Sequence, residues 1–210
     1  MLTEIHRQIT RLALEQYFSV PALETIIRSN MRQDGLIFQV GHSHFHFDNN
    51  AFKESYAYIE EQRRLVITNL DIGRPDDARV YFGRLTHAVQ DLYAHSNYVE
   101  LWLQNFDPKA MLEPNSIDPC DKGVMASLQL RSGRLYYPLE ALSFVPKLKR
   151  FVLPLLPRDS HAWMNLDGPA SGNKFPFAFS AALKRTRIEF EEVISDMSKE
   201  MIYLFTGKGS

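Results

Sequence analysis

Apolar residues recur at helical rather than alternating spacing over most of this chain. Ile5, Ile9, Leu12 and Tyr17 predict an amphipathic helix that stops at Ser19-Val20-Pro21. Pro21, a residue favoured in a first helical turn, predicts a second helix carrying Leu23, Ile26 and Ile27 towards Met31 and closing before Asp34-Gly35. Residues 42–50 read as an irregular polar loop, and residues 51–64 as a third helix with Phe52, Tyr56 and Ile59. After a loop over 71–76, Asp76 or Asp77 caps a long helix to about residue 106. Residues 107–123 are turn-rich. Residues 128–156 stay ambiguous, because short apolar runs do not separate helix from strand. Residues 159–176 read as a long loop, with or without a short helix, and residues 178–205 as a final helix with the longest uninterrupted pattern. The expectation is an all-α fold in one domain over residues 1–210, with no internal repeat.

Composition narrows the class. The chain has 210 residues, 45% of them hydrophobic and 12% aromatic, enough for one well-packed core. Lys plus Arg is 24 and Asp plus Glu 25, so no strongly basic surface for polyphosphate is indicated. The single cysteine, Cys120, excludes an internal disulfide and fits a reducing compartment. No apolar run is long enough to span a bilayer and no signal-peptide pattern opens the chain, so the expected location is cytoplasmic.

The histidines change the picture most. All seven lie in four short polar segments: His6, the stretch from His42 to Asp48, the stretch from His87 to His95, and the stretch from His161 to Asp167. His87, Asp91 and His95 are spaced four and four. Each such step on a helix turns about 40° and rises about 6 Å, so all three project from one side. Leu85, Ala88, Val89 and Leu92 place an apolar stripe beside them, and half-buried ligands of this kind need partners or a cation to offset desolvation. His44 and His46 would share a face if extended, with Phe45 and Phe47 opposite. His6, with Thr3 as a candidate N-cap, and His161 complete the set, and either Asp167 or Asn165 accompanies His161. Nitrogen and oxygen donors without cysteine suit zinc, and also manganese or iron. The donors exceed what one four-coordinate ion takes, so two or three ions are expected.

Phe82 through Asn97 resembles the histidine-aspartate signature of Het-C-like proteins, which in turn look like distant members of the zinc-dependent phospholipase C and single-strand nuclease superfamily. Weaker similarity runs through residues 3–10, 45–49 and 161–167. The resemblance implies an all-α fold of that type with up to three zinc ions. By position it implies that His87 and Asp91 form the helical pair, with Asp91 bridging, that His95 serves a second ion and His6 a third, and that Asp34 is both a ligand and the general base. His46 fits one form of the family's His-Phe motif and His44 another. His161 pairs with His95, with Asp167 or Asn165 as the last ligand, and the Met1 amine is a further candidate.

The function expected from the ligand set and the resemblance is a metal-dependent, phospholipase C-like phosphoester hydrolase acting on a small-molecule or lipid phosphoester. The competing expectations are a single-strand nuclease, disfavoured by the balanced charge, a di-iron oxidase, and a non-enzymatic, metal-stabilised recognition or incompatibility factor. A di-iron centre would want paired Glu-x-x-His motifs that the chain lacks.

Overall fold

The computed structural model describes residues 1–39, 41–143 and 146–208. They form an all-α structure. In chain order the helices are α1 (Thr3–Leu14), α2 (Val20–Arg32), α3 (Leu36–Gln39), α4 (Phe52–Asp71), α5 (Pro75–His95), α6 (Tyr98–Leu103), α7 (Lys122–Met125), α8 (Leu139–Ser143), α9 (Pro146–Val152), α10 (His161–Met164), α11 (Phe175–Ile194) and α12 (Lys199–Thr206). Among the described residues no named strand occurs, and two isolated β-bridges join Ser96 to Ser132 and Arg134 to Ser160. None of the described helices is long and apolar enough to cross a membrane.

Helix α5 is the axis of the fold, packed against α2, α4 and α11. Every residue from Leu85 to His95 is buried, so its second half is enclosed on all sides rather than amphipathic. The α2–α5 crossing is close because of Gly83: a Cβ there would sit 2.5 Å from the Ile26 carbonyl oxygen and 2.7 Å from Ser29 Cβ. At the N-terminal half of α5, the rings of Phe18, Phe82, Phe190 and Phe205 pack in tilted, edge-to-face and stacked pairs, binding the α1–α2 turn, α11 and α12 to the axis. A smaller core of Val152, Leu156 and Ala162 lies apart, beneath α8, α9 and α10.

Several sequence-based boundaries are corrected. The long helix expected to reach residue 106 ends at His95, because Ser96 turns extended, bridges Ser132, and donates its hydroxyl back to the Leu92 carbonyl; Asn97 then precedes α6. Neither Asp76 nor Asp77 caps α5. Arg74 stands at the N-cap, Pro75 opens the helix, and the two aspartates lie in its first turn, where their charge favours the dipole. Helix α4 runs to Asp71, past residue 64, since Val66 and Leu70 remain buried. The single final helix is two: Ser198 accepts a hydrogen bond from the Met201 amide and starts α12 afresh. The ambiguous stretch 128–156 holds α8 and α9, with Phe144 and Val145 lying outside the described residues.

Candidate metal centre

The C-terminal half of α5 aims His87, Asp91 and His95 into one polar pocket, and distant segments come to meet them. Asp91 is wholly buried and occupies the middle. Its Oδ2 lies 2.9 Å from His46 Nδ1 and 3.0 Å from His87 Nε2, and these two nitrogens are 3.0 Å apart. Its Oδ1 lies 3.1 Å from His6 Nε2, 3.6 Å from His95 Nε2 and 2.5 Å from the Met1 amine. Asp167 Oδ1 closes that side, 3.3 Å from His95 Nε2 and 3.4 Å from the Met1 nitrogen. Asp34 Oδ1 stands 3.9 Å from His87 Nε2, and Asp48 Oδ1 2.9 Å from His161 Nδ1.

Three groups of these side chains are close enough to hold a cation: His6, Asp34 and His87; His46, His87 and Asp91; Asp48, His95 and His161. The structure thus brings together all eight residues singled out from the sequence: His6, Asp34, His46, His87, Asp91, His95, His161 and Asp167. It also separates the alternatives. His44, half-buried, meets the rings of Phe45 and Tyr58 edge-to-face, away from the centre, and burial and His42 lower its pKa. Asn165 lines a different cavity, with Asn97 and Arg131.

The local backbone explains why His46 turns in. A single 3₁₀ turn over Ser43–Phe45 is followed by Phe47 at φ 54°, an uncommon left-handed conformation for an aromatic residue. That turn buries Phe47 and faces both His46 and Asp48 towards α5. Asn49 and Asn50, also left-handed, tie the loop to residues 132–135 through their side-chain oxygens. The same strand-like segment positions His161: Gly133 donates to the His95 carbonyl, and a Cβ on it would lie 2.5 Å from His161 Cα. Thr3 does not cap α1; it is the first helical residue, and its hydroxyl donates to Asp34 Oδ2 at 2.7 Å.

Neighbouring hydrogen bonds fix which nitrogens carry lone pairs. Gln90 donates its amide to Thr10 and Thr186, so its Oε1 accepts from His6 Nδ1 at 2.7 Å and leaves His6 Nε2 bare. His95 Nδ1 donates to the His46 carbonyl, leaving its Nε2 as an acceptor, 3.2 Å from the Met1 amine. His46 Nε2 faces the Phe38 carbonyl, 3.3 Å away, which turns its Nδ1 towards Asp91 and His87. Asp91 Oδ2, His46 Nδ1 and His87 Nε2 lie within about 3.0 Å of one another, so a hydrogen or a cation stands between them: a proton on His46, the Nε2–H tautomer of neutral His87, or a metal ion. Donors around a tetrahedral zinc with bonds of about 2.0–2.1 Å stand roughly 3.3 Å apart, close to the observed spacing. His6 Nε2, moreover, is buried beside Asp91 with no hydrogen-bond partner. These residues fit a metal.

The electrostatics agree. Burial opposes the charge on Asp91, but His95, the Met1 amine, His87 and His6 outweigh it and hold the carboxyl well below its usual range. Asp167, despite burial, is lowered by the Met1 amine and His95. Burial and neighbouring His6 push His87 down to about 4, so it is neutral at physiological pH and able to donate a lone pair. Against burial, Asp48 lifts His161 to about 9, and Asp91, Asp167 and Asp34 lift the Met1 amine to about 11. Without metal, protons stand in for cations.

Sequence reasoning missed Asp48, Gln90 and Asn30, whose amide donates to Gln90 Oε1 at 3.2 Å. Asp48 was visible as the carboxylate two residues after His46. Gln90 was visible as a glutamine between two candidate ligands on a buried helix.

An all-helical protein with a buried histidine–aspartate centre able to hold metal ions is the class that fold and site define. The family described as the VWA7 N-terminal domain matches residues 8–120, more than half of the chain, and the chain belongs to that family. No curated protein and no solved structure matches it. The match overturns the resemblance to Het-C-like proteins and their phospholipase C and nuclease relatives. Residues 82–97, which carried it, lie inside the matched region. A histidine-aspartate repeat at helical spacing is what any α-helix offering several ligands from one face must show, so it does not single out one family.

Proposed function

We propose that this protein is a metal-dependent hydrolase of phosphoester bonds with a multinuclear, zinc-type centre. The observation that carries this reading is Asp91, whose two carboxylate oxygens face two different sets of nitrogen donors, as a bridge between neighbouring cations would. Cations so placed polarise a phosphoryl oxygen and ease deprotonation of water near neutral pH.

The protein's own groups supply the rest. A cavity of about 240 Å³ opens onto the centre, lined by Asp34, His46, Asp48, His95, His161 and Asp167 among others. Its size suits a phosphate and a small head group and leaves little room for stacked bases. Asp34, partly exposed and oriented by Thr3, is placed to take a proton from an attacking water at the mouth. A closed structural site would have no such opening, which favours catalysis over a purely stabilising metal.

The test is metal analysis of protein purified without added metal, compared with Asp91→Asn, followed by assays on phosphocholine esters and single-stranded DNA. Two or three equivalents of zinc in the wild type, lost in the variant together with ester cleavage, are expected. Metal-free wild type that gains no hydrolytic activity on zinc addition would overturn the reading.

A further inference from the structure

The stretch from α8 to α10 is apolar on both sides. Val152, Leu156 and Ala162 face inward as the small second core, with Trp163 packed on it. Outward, Leu142 is 44% exposed, Leu148 40%, Phe151 61% and Leu155 70%, four large apolar side chains within fourteen residues. Leu148 and Phe151 are three apart and share one side of α9, and Leu155 follows four residues on. The inner core does not need them.

Between residues 139 and 158 the exposed charges of the described residues have one sign. Lys147, Arg150 and Arg158 are exposed, and the Arg150 guanidinium sits 4.5 Å above the Phe151 ring. Glu140 is the only acidic residue in the sequence from 139 to 158. It is fully buried and accepts a hydrogen bond from the Ala162 amide, so it contributes nothing to the outer face. Short helices with Phe and Leu outward and Lys and Arg beside them match an element that lies in the plane of a lipid interface.

We propose that the face built from α8, α9 and the turn at residues 153–155 docks on an anionic phospholipid bilayer, with Leu148, Phe151 and Leu155 entering the head-group boundary and Lys147 and Arg150 pairing with lipid phosphates. Leu135 and Tyr137, just before α8, line the mouth of the metal centre. Docking would therefore hold that mouth near the lipid surface. The surface requires neither the metal nor any activity.

The experiment is co-sedimentation, with a chelator present, on vesicles of phosphatidylcholine alone and of phosphatidylcholine mixed with phosphatidylserine. The wild type should partition onto the mixed vesicles, weaken with added salt, and bind the neutral ones poorly. Phe151→Ser combined with Leu155→Ser should lower the partition at least about tenfold. Lys147→Gln and Arg150→Gln should each lower it about fivefold, equivalent to about 1 kcal/mol per charge. Because these side chains are exposed, the thermal midpoints of the variants should match the wild type. Absence of wild-type binding to the mixed vesicles would overturn the proposal. So would a double serine variant that binds as the wild type does, or one that instead dissolves a dimer of the unbound protein.

Discussion

Glu189 on α11 and Asp91 on α5 are both fully buried carboxylates, and they are neutralised in opposite ways. Glu189 is held by two permanent cations: Arg63 donates to Oε2 at 2.6 Å, and Arg185 to Oε1 through Nε and Nη2 at 2.6 and 2.5 Å. Both oxygens are occupied by guanidinium donors that cannot be titrated away, and nothing further fits between them. Asp91 faces imidazoles and an amine, whose charge depends on protons. Four aspartates, Asp34, Asp48, Asp91 and Asp167, share that centre. A buried charge closed by arginines is a structural brace, whereas one ringed by converging lone pairs can hold an exchangeable cation.

Four variants or conditions pull the two regions apart. The largest effect is expected from Glu189→Ala, which leaves the Arg185 charge poorly compensated and should cost about 3–5 kcal/mol in denaturant unfolding. That loss should be equal with and without metal. Next, zinc at about a hundredfold over its dissociation constant should stabilise the wild type by about 2.7 kcal/mol. Thermal melts with zinc and with chelator should show this increment retained in Glu189→Ala and absent in Asp91→Asn. Third, zinc binding should release protons and strengthen as pH rises towards about 9. In the metal-free protein His161 is raised to about 9 and the Met1 amine to about 11, so both groups hold protons that a cation must displace. Calorimetry in buffers of different ionisation enthalpy measures this release, and pH-independent binding would contradict it. The smallest effect belongs to His44→Ala, which should change stability by less than about 0.5 kcal/mol and leave metal content alone.

The sequence exposes the periodic half of this centre and hides the rest. His87, Asp91 and His95 are legible because helical spacing alone puts them on one face. His46 and His44 could not be separated from pattern, since the choice rests on a 3₁₀ turn and a left-handed Phe47 that alternation does not encode. Asp167 and Asn165 diverge because α10 stops at Met164 and the chain turns extended at Asn165. The end of α5 carries no glycine or proline; it follows from the Ser96–Ser132 bridge, a contact made by residues far apart in sequence. The all-α class, by contrast, follows from helical periodicity repeated over the chain. The family assignment drawn from residues 82–97 failed because ligand spacing reports chemistry rather than descent.

The proposed chemistry requires a cation seated between Asp91, His46 and His87. Anomalous diffraction at the zinc edge from zinc-soaked crystals addresses it directly. The expected result is a strong peak enclosed by these three side chains, with further density beside His95 and Asp167. A map with that position empty, and zinc only on His42 and His44, would rule that cation out.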